Sequence, residues 1–221
     1  IYTLSLHDAL PISNLGIDNS QYEIKYNEVI DDTSDPNTLE VYYNSVVPVS
    51  NAYIQQRVLL EMGARSLTEP MEKKPVLSFI DEQYSELPFF EPSFDVQVVI
   101  PTRTFIEKTL LLHEEFSKQK DKIRTDRLTR HLYDLEKMMD TEYGESAISD
   151  HELFETIVHH RKTITPLRGI DYTNHEKGKL SILPPAEVLK NWEADYKTMQ
   201  ENMIVGESLP WEKLLERIKT I

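Results

Sequence analysis

Three residues stand where phosphate chemistry could use them, and each also has an ordinary explanation. Glu61 is a carboxylate inside the apolar run Val58-Leu59-Leu60-Glu61-Met62. Fixed on a strand, such a group can hold a divalent cation with little loss of side-chain entropy, and Mg²⁺ takes hard oxygen ligands. A residue on the solvated face of a sheet would read the same way. Lys108 comes three residues after Phe105 and four before Leu112, so it shares the apolar stripe of Phe105, Leu112 and Phe116. There it either snorkels along the stripe's edge or serves as a compact point charge at a phosphate. Asp134 follows Arg130 by four residues, the spacing of a helical surface pair worth about 0.3–0.5 kcal/mol.

Around Arg130 the chain is at its most basic, with Lys118, Lys120, Lys122, Arg124 and Arg127 interrupted by Asp121 and Asp126. This is either a solvated helix entry or a place where a polyanion touches the protein. The histidines offer little: His159-His160 suits a helix C-terminus, and His113, His131, His151 and His175 lack zinc-protease spacing. With 6 glycines and no cysteine there is no glycine-rich phosphate cradle, thiolate nucleophile or disulfide framework.

The elements that must position these residues follow from periodicity. Tyr22, Ile24 and Tyr26 alternate with polar residues, a turn-rich stretch from Asp31 to Asn37 follows, and Leu39, Val41 and Tyr43 alternate again, which predicts an antiparallel hairpin. Over 54–64 the alternation puts Val58, Leu60 and Met62 on one face and Arg57, Leu59 and Glu61 on the other. Prolines at 70, 75, 88 and 92 punctuate an irregular region before a buried strand over 94–100. Helices then take over. Thr104-Phe105-Ile106-Glu107 and Ser149-Asp150-His151-Glu152 read as capping boxes. Leu128, Leu132, Leu135 and Met139 make one apolar stripe, Trp192, Tyr196, Met199 and Met203 another, and a last helix near Ser208 turns Leu214, Leu215 and Ile218 inward.

Composition bounds the rest. The 221 residues, 39% hydrophobic and 28% charged, suit one large or two small globular domains, and a net charge of −14 disfavours broad non-specific nucleic-acid binding. No apolar run approaches the roughly 18 residues of a membrane helix, so the expected location is the cytoplasm, with no membrane contact. Residues 1–12, Ile-Tyr-Thr-Leu-Ser-Leu-His-Asp-Ala-Leu-Pro-Ile, read as the codon-by-codon translation of a common sequencing adapter. They are expected to be non-native, with native sequence starting near Ser13.

Four segments taken together, in order and spacing, resemble the AbiEii/AbiGii toxin family of nucleotidyltransferases. They are Leu60-Glu61-Met62-Gly63-Ala64-Arg65-Ser66-Leu67, Pro101-Thr102-Arg103-Thr104-Phe105-Ile106-Glu107-Lys108, Arg130-His131-Leu132-Tyr133-Asp134-Leu135-Glu136-Lys137 and Met203-Ile204-Val205-Gly206-Glu207-Ser208-Leu209. The resemblance implies an α+β chain: the C-terminal half of a nucleotidyltransferase-like mixed sheet over 13–101, then an α-helical domain over 102–221. It implies transfer of a nucleoside monophosphate from a nucleoside triphosphate to an acceptor, with tRNA as the expected acceptor, in a toxin-antitoxin or phage-defence setting with a cognate antitoxin. Glu61 would match the third acidic Mg²⁺ ligand, Lys108 the lysine that steadies the triphosphate and Asp134 a later essential aspartate, while Arg65 and Arg130 are assigned with Lys108 to the nucleotide. The family's first motif, a Gly-Gly-Ser/Thr turn followed by paired carboxylates, has no counterpart in the 221 residues. The chain is therefore expected to be an inactive fragment of an active parent. The alternative is a non-catalytic helical interaction protein that binds a protein partner, with Glu61 and Asp134 merely solvated.

Overall fold

A computed structural model describes residues 22–27, 37–46, 55–62 and 66–221. The segment 1–12 and Arg65 lie outside the described residues. Two compact units part between Ser66 and Leu67, with residues 199–207 grouped with the first.

In the first unit, β1 (Tyr22–Asn27), β2 (Asn37–Tyr43) and β3 (Arg57–Met62) form an antiparallel sheet in that order. The pairings Ile24 with Val41, Val41 with Val58 and Leu39 with Leu60 collect the alternating apolar residues on one face, as the two-residue period requires. Leu39, on the central strand, is buried. The opposite face is ionic. Arg57 pairs with Glu40 at 2.5 Å, the Tyr42 hydroxyl also donates to Glu40, and the Lys25 ammonium lies 4.6 Å from the Tyr42 ring centroid. Hydrogen bonds from Tyr42 and then Arg57 hold the Glu40 carboxyl below its ordinary range.

The second unit opens with β4 (Met71–Val76) and β5 (Phe94–Val99), an antiparallel pair of its own. Their connection carries a short helix, α1 (Phe79–Gln83). The strand expected over 94–100 is thus present and, among the described residues, pairs with β4, but it is not buried. Phe94 and Asp95 are exposed and none of its residues is fully covered, because no further layer packs on this two-stranded pair among the described residues. β4 escaped periodicity because Lys73, Lys74 and Pro75 erase the apolar alternation; Pro75 is tolerated because, among the described residues, neither strand of this sheet has a second neighbour.

Helix α2 (Pro101–Phe116) is the centre of the helical core and packs on α3 (Thr129–Met139), α4 (Glu142–Ser149) and α5 (His151–Thr163). Its Leu110 and Leu112 are fully buried, and so are Leu132 and Leu135 of α3. The capping box expected at Thr104 is not formed. Pro101 starts the helix one turn earlier, where its fixed φ and missing N–H carry no penalty, so Thr104 is inside and its hydroxyl donates to the Ile100 carbonyl at 3.3 Å. Glu107 accepts instead from Arg103 Nε at 2.8 Å. At α5 the cap is Asp150, which accepts from the Leu153 N–H at 2.9 Å, while Ser149 closes α4.

Gly144 explains how α4 approaches α3 so closely: a Cβ there would press on the Met138 carbonyl oxygen and lie 2.7 Å from Met139 Cα. Helix α6 (Leu189–Asn202) buries Trp192 and Tyr196, and α7 (Trp211–Ile218) buries Leu214 and Ile218. The Tyr196 hydroxyl donates to the Leu209 carbonyl at 2.8 Å. Met203 falls beyond the end of α6 and is half exposed, so the stripe expected through it stops at Met199.

Candidate active site

Lys108 and Asp134, 26 residues apart in sequence, meet across the α2–α3 contact, where Lys108 Nζ lies 2.7 Å from Asp134 Oδ2. A third residue completes the group. His131 Nδ1 is 3.3 Å from Lys108 Nζ, and the His131 side chain is buried. Burial, reinforced by the charges of Lys108 and Arg130, pushes the imidazole down to about 4. At neutral pH the ring is therefore uncharged. Because Lys108 can only donate, Nδ1 must carry the lone pair and Nε2 the proton.

This arrangement fixes a cation without extinguishing it. An ammonium has three N–H donors; here one meets Asp134 and another meets His131. The third is left for a further acceptor, and the Lys108 side chain retains 21% of its exposure. The lysine that the sequence offered either as a snorkelling residue or as a point charge for a phosphate is held from two sides by side chains one helical turn apart, at 131 and 134, as i, i+3 spacing allows. Arg130 is exposed on the same helix, and Asp134 turns to Lys108 in place of the i−4 arginine.

The position of α3 is set from outside the helix. Leu128, at its N-cap, supplies no side-chain bond. The Asp195 carboxylate of α6 does so instead, accepting from the Arg127 N–H at 2.8 Å, the Thr129 N–H at 3.2 Å and the Thr129 hydroxyl at 2.5 Å. A carboxylate at a helix N-terminus also meets the positive end of the dipole. Arg127 reaches this geometry with a φ of 58°, a left-handed conformation that non-glycine residues adopt at a cost.

Further along α2 stand two buried carboxylates. Glu115 accepts from the Arg124 backbone N–H (2.7 Å), Arg124 Nη2 (2.7 Å) and Lys118 Nζ (2.7 Å). Burial alone would raise its carboxyl, but these bonds outweigh it and hold the group low. Glu114 accepts from Arg161 Nε at 2.8 Å and lies 3.4 Å from His175 Nε2. Lys120 pairs with Glu187. Lys118 and Arg124 are thereby committed to a buried carboxylate and Lys120 to a surface one, which leaves less of the basic stretch for a polyanion than the sequence suggested.

Glu61 lies in the first unit, exposed on the ionic face of the sheet with Thr38 opposite it on β2. Its immediate cross-strand neighbour is not an acid, and Glu40, two residues along, is engaged by Arg57 and Tyr42. Among the described residues no group of three or more His, Cys, Asp or Glu is arranged to hold a metal ion. Among the described residues Glu61 is thus a single solvated carboxylate with no second acid set beside it. A cavity of about 630 Å³ in the helical unit, lined by Phe105, Ile106, Phe154 and Lys177 among others, takes in none of Lys108, His131 or Asp134.

His131 was missed because a single histidine beside Arg130 carries no spacing signal; its role comes from the Lys108 contact, which only the α2–α3 packing creates. Arg65 lies outside the described residues. Among those residues no helix is long and apolar enough to cross a membrane.

No curated protein and no solved structure matches the chain. A family model does, described as the nucleotidyl transferase AbiEii toxin of a type IV toxin-antitoxin system, and it aligns with residues 6–217. That span contains both helices that supply Lys108 and Asp134 and the strand that carries Glu61. By a match over nearly its whole length, the chain belongs to the AbiEii family of nucleotidyl transferase toxins.

Proposed function

We propose that Lys108, steadied by Asp134 and His131, receives the triphosphate of a nucleotide whose nucleoside monophosphate is passed to an acceptor RNA, with tRNA as the acceptor. The observation that carries this is the 2.7 Å Lys108–Asp134 pair, which joins two separated family segments around one partly buried cation. In the transfer, an acceptor hydroxyl oxygen attacks the α-phosphorus, the bond to the bridging oxygen breaks and pyrophosphate leaves. A fixed ammonium offsets the charge that builds on the leaving group, and little covalent work is asked of the protein. Arg130, exposed one turn before Asp134, adds a second cation for the phosphates.

Glu61 is proposed as one metal ligand of the active protein, and Arg65, close after it in sequence, as a further nucleotide contact. Mg²⁺, where bound, would offset the negative charge of the phosphates, and Glu61 would be one of the residues holding it, but a single carboxylate is too small a donor set for it. The 221-residue chain by itself is therefore proposed to be inactive in transfer, and the cognate antitoxin to restrain the complete toxin. Incubation of the chain with each labelled nucleoside triphosphate, tRNA and Mg²⁺ tests this. No labelled RNA above background is expected; robust labelling that disappears in Glu61→Ala would show that the carboxylates present suffice.

A further inference from the structure

The connection between β4 and β5 holds an apolar surface that the nucleotide site does not use. Residues 77–93, which include α1, are long for the connection of an antiparallel strand pair, whose loops are mostly about 2–5 residues. This one is structured. Ser78 caps α1 by accepting from the Asp81 N–H at 3.0 Å, and Asp81 Oδ1 in turn accepts from the Glu91 N–H at 3.1 Å, closing the loop across ten residues. Turns at Tyr84–Leu87 (3.1 Å) and Leu87–Phe90 (3.0 Å) fix the segment between.

While the backbone closes on itself, its large apolar side chains face outward. Phe79 is 89% exposed, Phe94 65%, Ile80 60% and Phe89 57%, with Tyr84 and Leu87 also exposed. Scattered apolar residues on a surface need no explanation, but a concentration on one ordered loop marks an interaction site. Aromatic side chains are also what interface centres are enriched in.

Charge selects the occupant. Residues 76–100 contain Asp81, Glu82, Glu86, Glu91 and Asp95 and no lysine or arginine. Such a rim repels nucleic acid and anionic lipid surfaces, and it sets acid against acid if a second copy of the chain docks face to face. It complements a polypeptide that presents apolar side chains flanked by lysine or arginine. We propose that the ordered 77–93 loop, with Phe94, is a docking surface for a basic, amphipathic segment of a partner protein, separate from the nucleotide site.

Fluorescence anisotropy with a labelled Leu/Lys amphipathic peptide tests this on the full chain. The peptide should bind the wild-type chain. Its affinity should fall at least tenfold for the triple variant Phe79→Ser/Phe89→Ser/Phe94→Ser, with the helical signal and melting temperature unchanged. A Lys/Ser peptide and a Leu/Glu peptide should each bind at least tenfold more weakly than the first. Absence of binding, or equal binding by the triple variant, would overturn the proposal. So would competition at this loop by a single-stranded RNA, or self-association of the wild-type chain that the triple variant abolishes. Shielding of Phe79→Trp from acrylamide in the chain alone would also overturn it, because the chain itself would then cover the surface.

Discussion

His131 is the residue on which the electrostatics of the site turn. Were its imidazole protonated, it could no longer accept from Lys108 and would repel it, so burial and the neighbouring cations keep the ring neutral. The pH consequence has a definite sign. The unfolded ring titrates near 6.5 and the folded ring near 4. Between these values the unfolded chain takes up a proton that the folded chain refuses, so stability falls as pH drops from about 6.5 to about 4 and this contribution then levels off. The shift corresponds to about 3 kcal/mol at most. Urea unfolding at pH 7 and pH 5 should therefore show a loss that is reduced in His131→Gln; an identical loss in both would mean that His131 does not titrate in this way. Lys108 and Asp134 were legible as individual candidates because a lysine on an apolar stripe and an acid one turn after a basic residue leave marks in sequence. Their partnership was not. The pairing expected from spacing, Arg130 with Asp134, gave way to one between helices, since Lys108 is half-buried against α3 and Arg130 is free to extend into solvent.

Helix α3 brings Asp134 and His131 to Lys108, and its first turn depends on a carboxylate from another helix. Asp195→Ala removes the acceptor of two backbone N–H groups and the Thr129 hydroxyl at once, and leaves Arg127 strained with less to hold it. A loss of about 1–2 kcal/mol in folding free energy is expected, the range of a lost helix cap. Denaturant midpoints for wild-type, Asp195→Ala and Asp195→Asn would show it, and an unchanged Asp195→Ala midpoint would exclude the capping role. Elements with a clean period were readable: the β1–β2 hairpin, β3, β5 and the stripes of α3, α6 and α7. α4 was not, because Glu142-Tyr143-Gly144-Glu145-Ser146-Ala147-Ile148-Ser149 buries only Gly144 and Ala147, two residues whose small size is the reason they fit. The first capping box failed for a related reason. Thr104 and Glu107 have the right spacing, but Pro101 begins the helix before them and local chemistry yields to the earlier start. Asp195 could not be read as a cap at all, since it lies 66 residues from Thr129.

At the scale of the whole molecule, the α+β class and the family were legible because four weak segments occur in a fixed order, which no single segment could establish. The change of period near Pro101 was also visible, although the compact units part between Ser66 and Leu67, with β4 and β5 in the second. The separate β4–β5 pair was not, because prolines and lysines mask β4. The acidic balance of the chain is distributed in a way that composition cannot reveal: Glu114, Glu115 and Asp195 are engaged by neighbouring cations and a helix end, whereas the acids of 76–100 rim an exposed apolar loop. Such a protein can present a local cation to a triphosphate while repelling polyanions elsewhere. The central claim is that Lys108 is that cation. Isothermal titration of the chain with each nucleoside triphosphate in the presence of Mg²⁺ tests it most directly, alongside Lys108→Met and Asp134→Asn. Measurable binding to the wild-type chain is expected, weakened at least tenfold in Lys108→Met and severalfold in Asp134→Asn, with thermal stability monitored in parallel. Binding of equal strength in wild-type and a folded Lys108→Met chain would contradict the assignment.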